Sequence, residues 1–153
     1  MNNIKRRQVF NNHFFIGKYE ITNEEFKSIV PTYNFPSGKE RFPVSNLGEN
    51  QIKDFVDKLQ AQYTQLSIQL PTEREWEYSA KGSTTLKYTW GNEYNSNMAN
   101  IESKSLEAVG THPQSDSIFG ASDMIGNIEE VTLIDNVNYI VQETQLYVGR
   151  GGQ

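Results

Sequence analysis

The chain has 153 residues, 14 Lys and Arg against 19 Asp and Glu, and a formal charge of −5. That length suits one domain, which buries roughly 70% of its unfolded surface and so needs neither disulfide nor metal to fold. The absence of cysteine excludes a disulfide framework, a thiolate zinc site and a cysteine nucleophile within these residues. The acidic balance argues against nucleic acid as a partner, because that affinity comes from clustered Lys and Arg.

Hydrophobic residues make up 36% and aromatic residues 12%, enough for an aromatic-weighted core. Mean hydropathy is −0.65, and no apolar run approaches the ~20 residues of a membrane span. Lys5-Arg6-Arg7 reads as a solvated tail. Residues 1–13 are therefore expected to be an N-terminal tail and 14–153 a single domain. No apolar stretch suited to a signal peptide follows the basic residues, so the expected location is cytoplasmic, with removal of a leader left open.

In chain order, residues 14–20 suit a strand, being β-rich and aromatic. Thr22 and Glu25 have capping-box spacing, which starts a short helix carrying Phe26, Ile29 and Val30 and stopping before Pro31. Residues 31–48 hold Pro31, Pro36, Gly38, Pro43 and Gly48 and read as loop. Ile52, Phe55, Val56 and Leu59 recur at i, i+3, i+4 and i+7, predicting a helix over about 50–62. Leu66, Ile68 and Leu70 alternate with Ser67 and Gln69 as in a half-buried strand. Thr72 and Glu75 form a second capping box, and Gly82 is placed to end that helix. From there to about residue 136 the sequence is mostly polar loop. Residues 138–142 and 145–148 alternate weakly, as in a hairpin. The pattern fits α+β.

Several stretches resemble the formylglycine-generating enzyme family, also called the sulfatase-modifying factor domain. They run in family order: Ile16-Gly17-Lys18-Tyr19-Glu20-Ile21-Thr22-Asn23-Glu24-Glu25-Phe26, Phe42-Pro43-Val44-Ser45-Asn46, Leu70-Pro71-Thr72-Glu73 with Glu75-Trp76-Glu77-Tyr78, and Trp90-Gly91-Asn92-Glu93. Ala99-Asn100-Ile101, Val109-Gly110, Phe119-Gly120, Asp123-Met124 with Gly126-Asn127 and Glu130, and Arg150-Gly151-Gly152 follow. The resemblance implies a C-type-lectin-like fold with two main helices, small antiparallel sheets and long irregular loops.

It also implies chemistry that these residues lack. Family members that make formylglycine use paired copper-binding cysteines beyond the Arg-Gly-Gly motif, and a related branch holds iron with three histidines. This chain has no cysteine and only His13 and His112, so neither copper nor iron is expected. Glu129 and Val131 stand where the family carries tryptophan. The expectation is a C-terminally shortened, catalytically silent member.

The resemblance places a structural calcium site at Asp123, Gly126, Ile128 and Glu130, and a second at Asn100 and Ile101. Calcium takes six to eight hard oxygens from carboxylates and carbonyls, and a Gly-Asn turn flanked by acids supplies both. The alternative is that Asp123 and Glu130 only satisfy backbone N–H groups of a tight turn. Glu73, Glu75 and Glu77 suit the helix start rather than acid–base work. Trp76 and Tyr78 read as core. The functional expectation is a protein-binding module, with a partner or a second copy at the C-terminal sheet edge. No sugar-binding motif is evident. The alternatives are an oxidase with a different ligand set and a fragment that needs complementation.

Overall fold

The computed structural model describes residues 13–134 and the backbone of 147–150. Three α-helices come first: α1 (Asn23–Ile29), α2 (Glu49–Gln62) and α3 (Glu73–Lys81). After α3 the only regular elements among the described residues are a 3-10 turn at Pro113–Ser115 and two strands, β1 (Glu130–Leu133) and β2 (Tyr147–Arg150). The strands pair antiparallel, with Glu130 opposite Arg150 and Leu133 opposite Tyr147.

Local chemistry fixes the helix starts. Thr22 Oγ1 accepts the Glu25 N–H at 3.3 Å, and the Glu25 carboxylate accepts the Thr22 N–H at 2.8 Å. Thr72 and Glu75 repeat the arrangement at 3.2 and 2.8 Å, satisfying donors that a helix start leaves open. At α2 the Gln51 side chain accepts the Gly48 N–H at 2.9 Å. Gly82 ends α3 at φ 60°, a backbone region that favours glycine.

Two predicted strands are absent. Residues 66–70 alternate as a strand would, yet Gln60 on α2 takes their backbone groups. Its amide donates to Leu66 O at 2.8 Å and accepts the Ile68 N–H at 2.8 Å. Residues 14–20 form no ladder either: Lys18 O accepts from Ser122 N, and Ile21 O from Val44 N, both at 2.8 Å. One bond reaches Ser122, and past residue 20 the chain makes only an isolated bridge, Thr22 with Pro43, in place of a continuous partner. β2 pairs with β1, a segment read from sequence as loop. Residues 138–142 lie outside the described residues.

Packing divides between two centres. Phe26 is 2% exposed; it stacks on Phe55 at 4.8 Å and meets the Tyr33 ring edge-on at 4.9 Å, joining α1 to α2. Around α3, Trp76, Ala80, Ala121 and Met124 form a second cluster. Leu133 N donates to Pro71 O at 2.9 Å, which sets β1 beside the start of α3. No described helix is long and apolar enough to cross a membrane.

Replacing Phe26 with Ala removes a ring that holds both helices. The expected loss is about 3–5 kcal/mol of unfolding free energy, read from urea denaturation. A loss below about 1 kcal/mol, the size of a surface change, contradicts this packing.

Candidate functional site

The loops at 99–112 and 116–130 carry the predicted site residues, and one tight turn brings them together. Asp123, Gly126 and Asn127 all adopt positive φ, at 57°, 84° and 57°. A Cβ on Gly126 would stand 2.5 Å from Asn100 O and 3.4 Å from Ile101 N. Only glycine lets the turn lie this close to the Asn100 backbone. The two predicted sites therefore sit back to back across Gly126.

Asn127 locks that contact. Its N–H donates to Asn100 O at 2.9 Å. Its side-chain oxygen accepts from Asn100 Nδ2 at 3.1 Å and from Glu107 N at 2.9 Å. Its Nδ2 donates to Glu20 Oε2 at 2.7 Å and to Glu107 O at 3.4 Å. Glu20 Oε1 also accepts the Ile128 N–H at 3.3 Å.

Three carboxyl groups lie near enough here to feel one another's charge: Glu20, Asp123 and Glu130. Asp123 Oδ2 accepts the Gly110 N–H at 2.6 Å. Burial, then the Asp123 and Glu130 charges, push Glu20 up to about 8, against the pull of its bond from Asn127. Burial, with Asp123 behind it, pushes Glu130 up to about 7; the nearby Trp76 indole opposes this. Burial also raises Asp123, opposed by the Gly110 N–H and His112. Trp76 Nε1 and Asn100 Oδ1 are buried, and neither has a partner at hydrogen-bond geometry.

Asp123, Gly126, Ile128 and Glu130 are thus gathered around one turn. Among the described residues no three His, Cys, Asp or Glu side chains converge as a metal-ligand group. A cation at Asp123 and Glu130 would therefore draw on backbone oxygens as well, a donor set that suits calcium. The Asn100–Ile101 site has the free Asn100 Oδ1, and no carboxylate bonds Asn100 directly; the Glu20 carboxylate is reached only through Asn127. Glu102 accepts the Tyr94 hydroxyl at 2.7 Å, and Glu107 pairs with His112 at 2.8 Å. His13 is exposed.

Sequence reasoning missed Glu20, Glu107 and Asn127 as members of this group. Glu20 lay inside an expected strand, and its one signal was its place in the motif Tyr19-Glu20-Ile21-Thr22. Glu75 does cap α3, and Trp76 is core, as expected.

Comparison with known proteins decides the family. The sulfatase-modifying factor enzyme 1-like domain matches the chain over residues 2–153. The chain belongs to this family. A curated relative, the formylglycine-generating enzyme of Mycobacterium tuberculosis, is 42% identical over 77 residues, covering 41% of this chain and 26% of the relative. The chain therefore spans well under two thirds of that relative's length. Among solved structures, Treponema denticola variable protein 1 superposes with a TM-score of 0.68 at 20% identity, covering 89% of this chain and 71% of that one. A crystal structure of CarF gives 0.65 at 20% identity, covering 88% and 73%. These two likenesses show the family's fold, in which the described residues carry three helices and little strand.

The raised carboxyls make stability depend on pH. Folding raises the pKa of Glu20 to about 8 and of Glu130 to about 7, from 4.5. The folded state then binds more protons between those limits, so the stabilisation is full below about pH 4.5 and is lost as pH rises toward 8. Urea midpoints measured in chelator are expected to fall from pH 5 to pH 8, and Glu20→Gln is expected to flatten that fall. Asn127→Ala is expected to cost about 3 kcal/mol at either pH, because it strands several buried polar groups.

Proposed function

We propose that this domain is a non-catalytic member of its family that acts as a protein-binding module, with structural calcium at Asp123, Gly126, Ile128 and Glu130. The observation that carries the reading is the absence of cysteine from a chain that the family matches over residues 2–153. Thiolate-bound copper chemistry has no ligand within these residues. What remains is a scaffold that presents long loops, and fold alone leaves the ligand open.

The calcium reading rests on donor chemistry. Asp123 and Glu130 supply carboxylates, and Gly126 and Ile128 supply carbonyls. Bound calcium offsets the mutual repulsion of buried acids; the chain's own residues hold the loops and exclude water. The Asn100–Ile101 pair lacks an acid, so calcium is proposed at the first site alone.

A two-stranded sheet is marginal by itself, and β1–β2 is the one sheet among the described residues. The outer edge of β2 is where we place an added strand from a protein partner.

Thermal unfolding in calcium and in chelator tests the cation. At a calcium concentration about a hundredfold above Kd, the midpoint is expected to rise by about 5–10 °C. An Asp123→Asn/Glu130→Gln variant is expected to show no rise. Equal midpoints for the parent protein in calcium and chelator remove calcium from the reading. Affinity capture from native cells, with and without chelator, tests the module; a partner held only with calcium is the expected result. Oxygen consumption with a thiol peptide after copper loading is expected to be nil, and turnover restores the oxidase reading.

A further inference from the structure

Trp76 carries a buried polar atom that the fold leaves unused. Its side chain packs with Ala80, Ala121 and Met124 and is 8% exposed. Its Nε1 nevertheless has no hydrogen-bond partner among the described residues. An indole N–H only donates, so it cannot ligate a cation and must find an oxygen. Buried tryptophans usually do find one, and a phenyl ring in its place would strand no donor.

Two constraints set this indole beside the candidate cation turn. From one side Met124, the residue after Asp123, shares its cluster. From the other, β1 is tied to the start of α3: Leu133 N donates to Pro71 O at 2.9 Å, and Thr72 bridges Leu133. Trp76 follows one turn after Thr72 on that helix, and Glu130 opens that strand. The Thr72–Glu75 capping box fixes the first turn of α3, so a rigid element holds the ring. The indole is close enough to pull against the burial of the Glu130 carboxyl.

Glu130 is also the acid with capacity to spare. Glu20 accepts from Asn127 and Ile128, and Asp123 accepts from Gly110. Among the described residues the Glu130 carboxyl accepts no bond at hydrogen-bond geometry. A donor without an acceptor and a carboxyl without a donor thus stand at the same turn. Their bond is weak while Glu130 is protonated and becomes charge-assisted when it ionises. A cation favours ionisation, so cation and indole act on Glu130 in the same direction. Carboxylates that ligate a metal are ordinarily oriented by hydrogen bonds of this kind.

We propose that Trp76 is a positioning residue for the cation site: its indole N–H donates to the ionised Glu130 carboxylate and orients it for calcium. This rests on the cation reading given under the proposed function. It assigns α3, an element outside the loops, a part in cation affinity.

Calorimetric titration with calcium alone tests the assignment. Trp76→Phe keeps an aromatic ring in the cluster and removes the donor. Its Kd is expected to rise about 10- to 100-fold over the parent's. Ala80→Gly, in the same helix and cluster, lowers stability but leaves the donor, and its Kd is expected to match the parent's. A second measurement needs no change at Trp76. The chain has two tryptophans, so Trp90→Phe leaves one indole N–H proton resonance. Saturating calcium is expected to move that resonance downfield, which also decides the matter where Trp76→Phe does not fold. Equal affinity in the parent and Trp76→Phe, an equal loss in Ala80→Gly, or an indole resonance that calcium leaves in place overturns the role of Trp76 while the cation reading stands. A parent protein that takes up no calcium overturns both.

Discussion

The amide of Asn127 is the joint on which the loop half of this domain depends. It spends both donors and its acceptor oxygen on Glu20, Asn100 and Glu107. A protein rich in sheet satisfies backbone groups through ladders. Here the described residues between α3 and β1 have no ladder of more than one bridge, so side chains take over that task. Gln60 does the same for residues 66–70, and Ser117 for its own turn. Such a scaffold is rigid where an amide or hydroxyl finds several partners at once.

That rigidity concentrates charge. Glu20 must reach Asn127, and Asp123 must reach the Gly110 N–H, so both acids are carried inward beside Glu130. No basic side chain is hydrogen-bonded to any of the three among the described residues. Burial favours the neutral form of each acid, and their mutual repulsion favours it further. The fold therefore holds together a group that becomes costly as it ionises.

The parts legible in sequence were those governed by near neighbours. Thr22 with Glu25 and Thr72 with Glu75 announce helix starts through a three-residue spacing. Phe55 and its neighbours announce the buried face of α2. Residues 66–70 misled because alternation reports burial on one face and not what the backbone bonds to; Gln60, six residues before Leu66, decided that. β1 was hidden because Glu130, Val131 and Thr132 have no clean alternation, and their partner lies across a long connection. At the site, Asp123 and Glu130 were readable from the motif around Gly126-Asn127. Glu20 was not, because its partner lies 107 positions away and no local pattern encodes that meeting.

That same separation has a kinetic consequence. Each helix start closes over three residues, and the Phe26–Phe55 contact over a few dozen. The bonds of Glu20 to Asn127 and Ile128 close loops of 107 and 108 positions, the longest among the described residues, and closure entropy grows with length. Chains whose key contacts are this distant in sequence fold slowly. Topology thus orders assembly from the helices toward the hub, with Glu20 solvated until residues from the far end of the domain come to cover it.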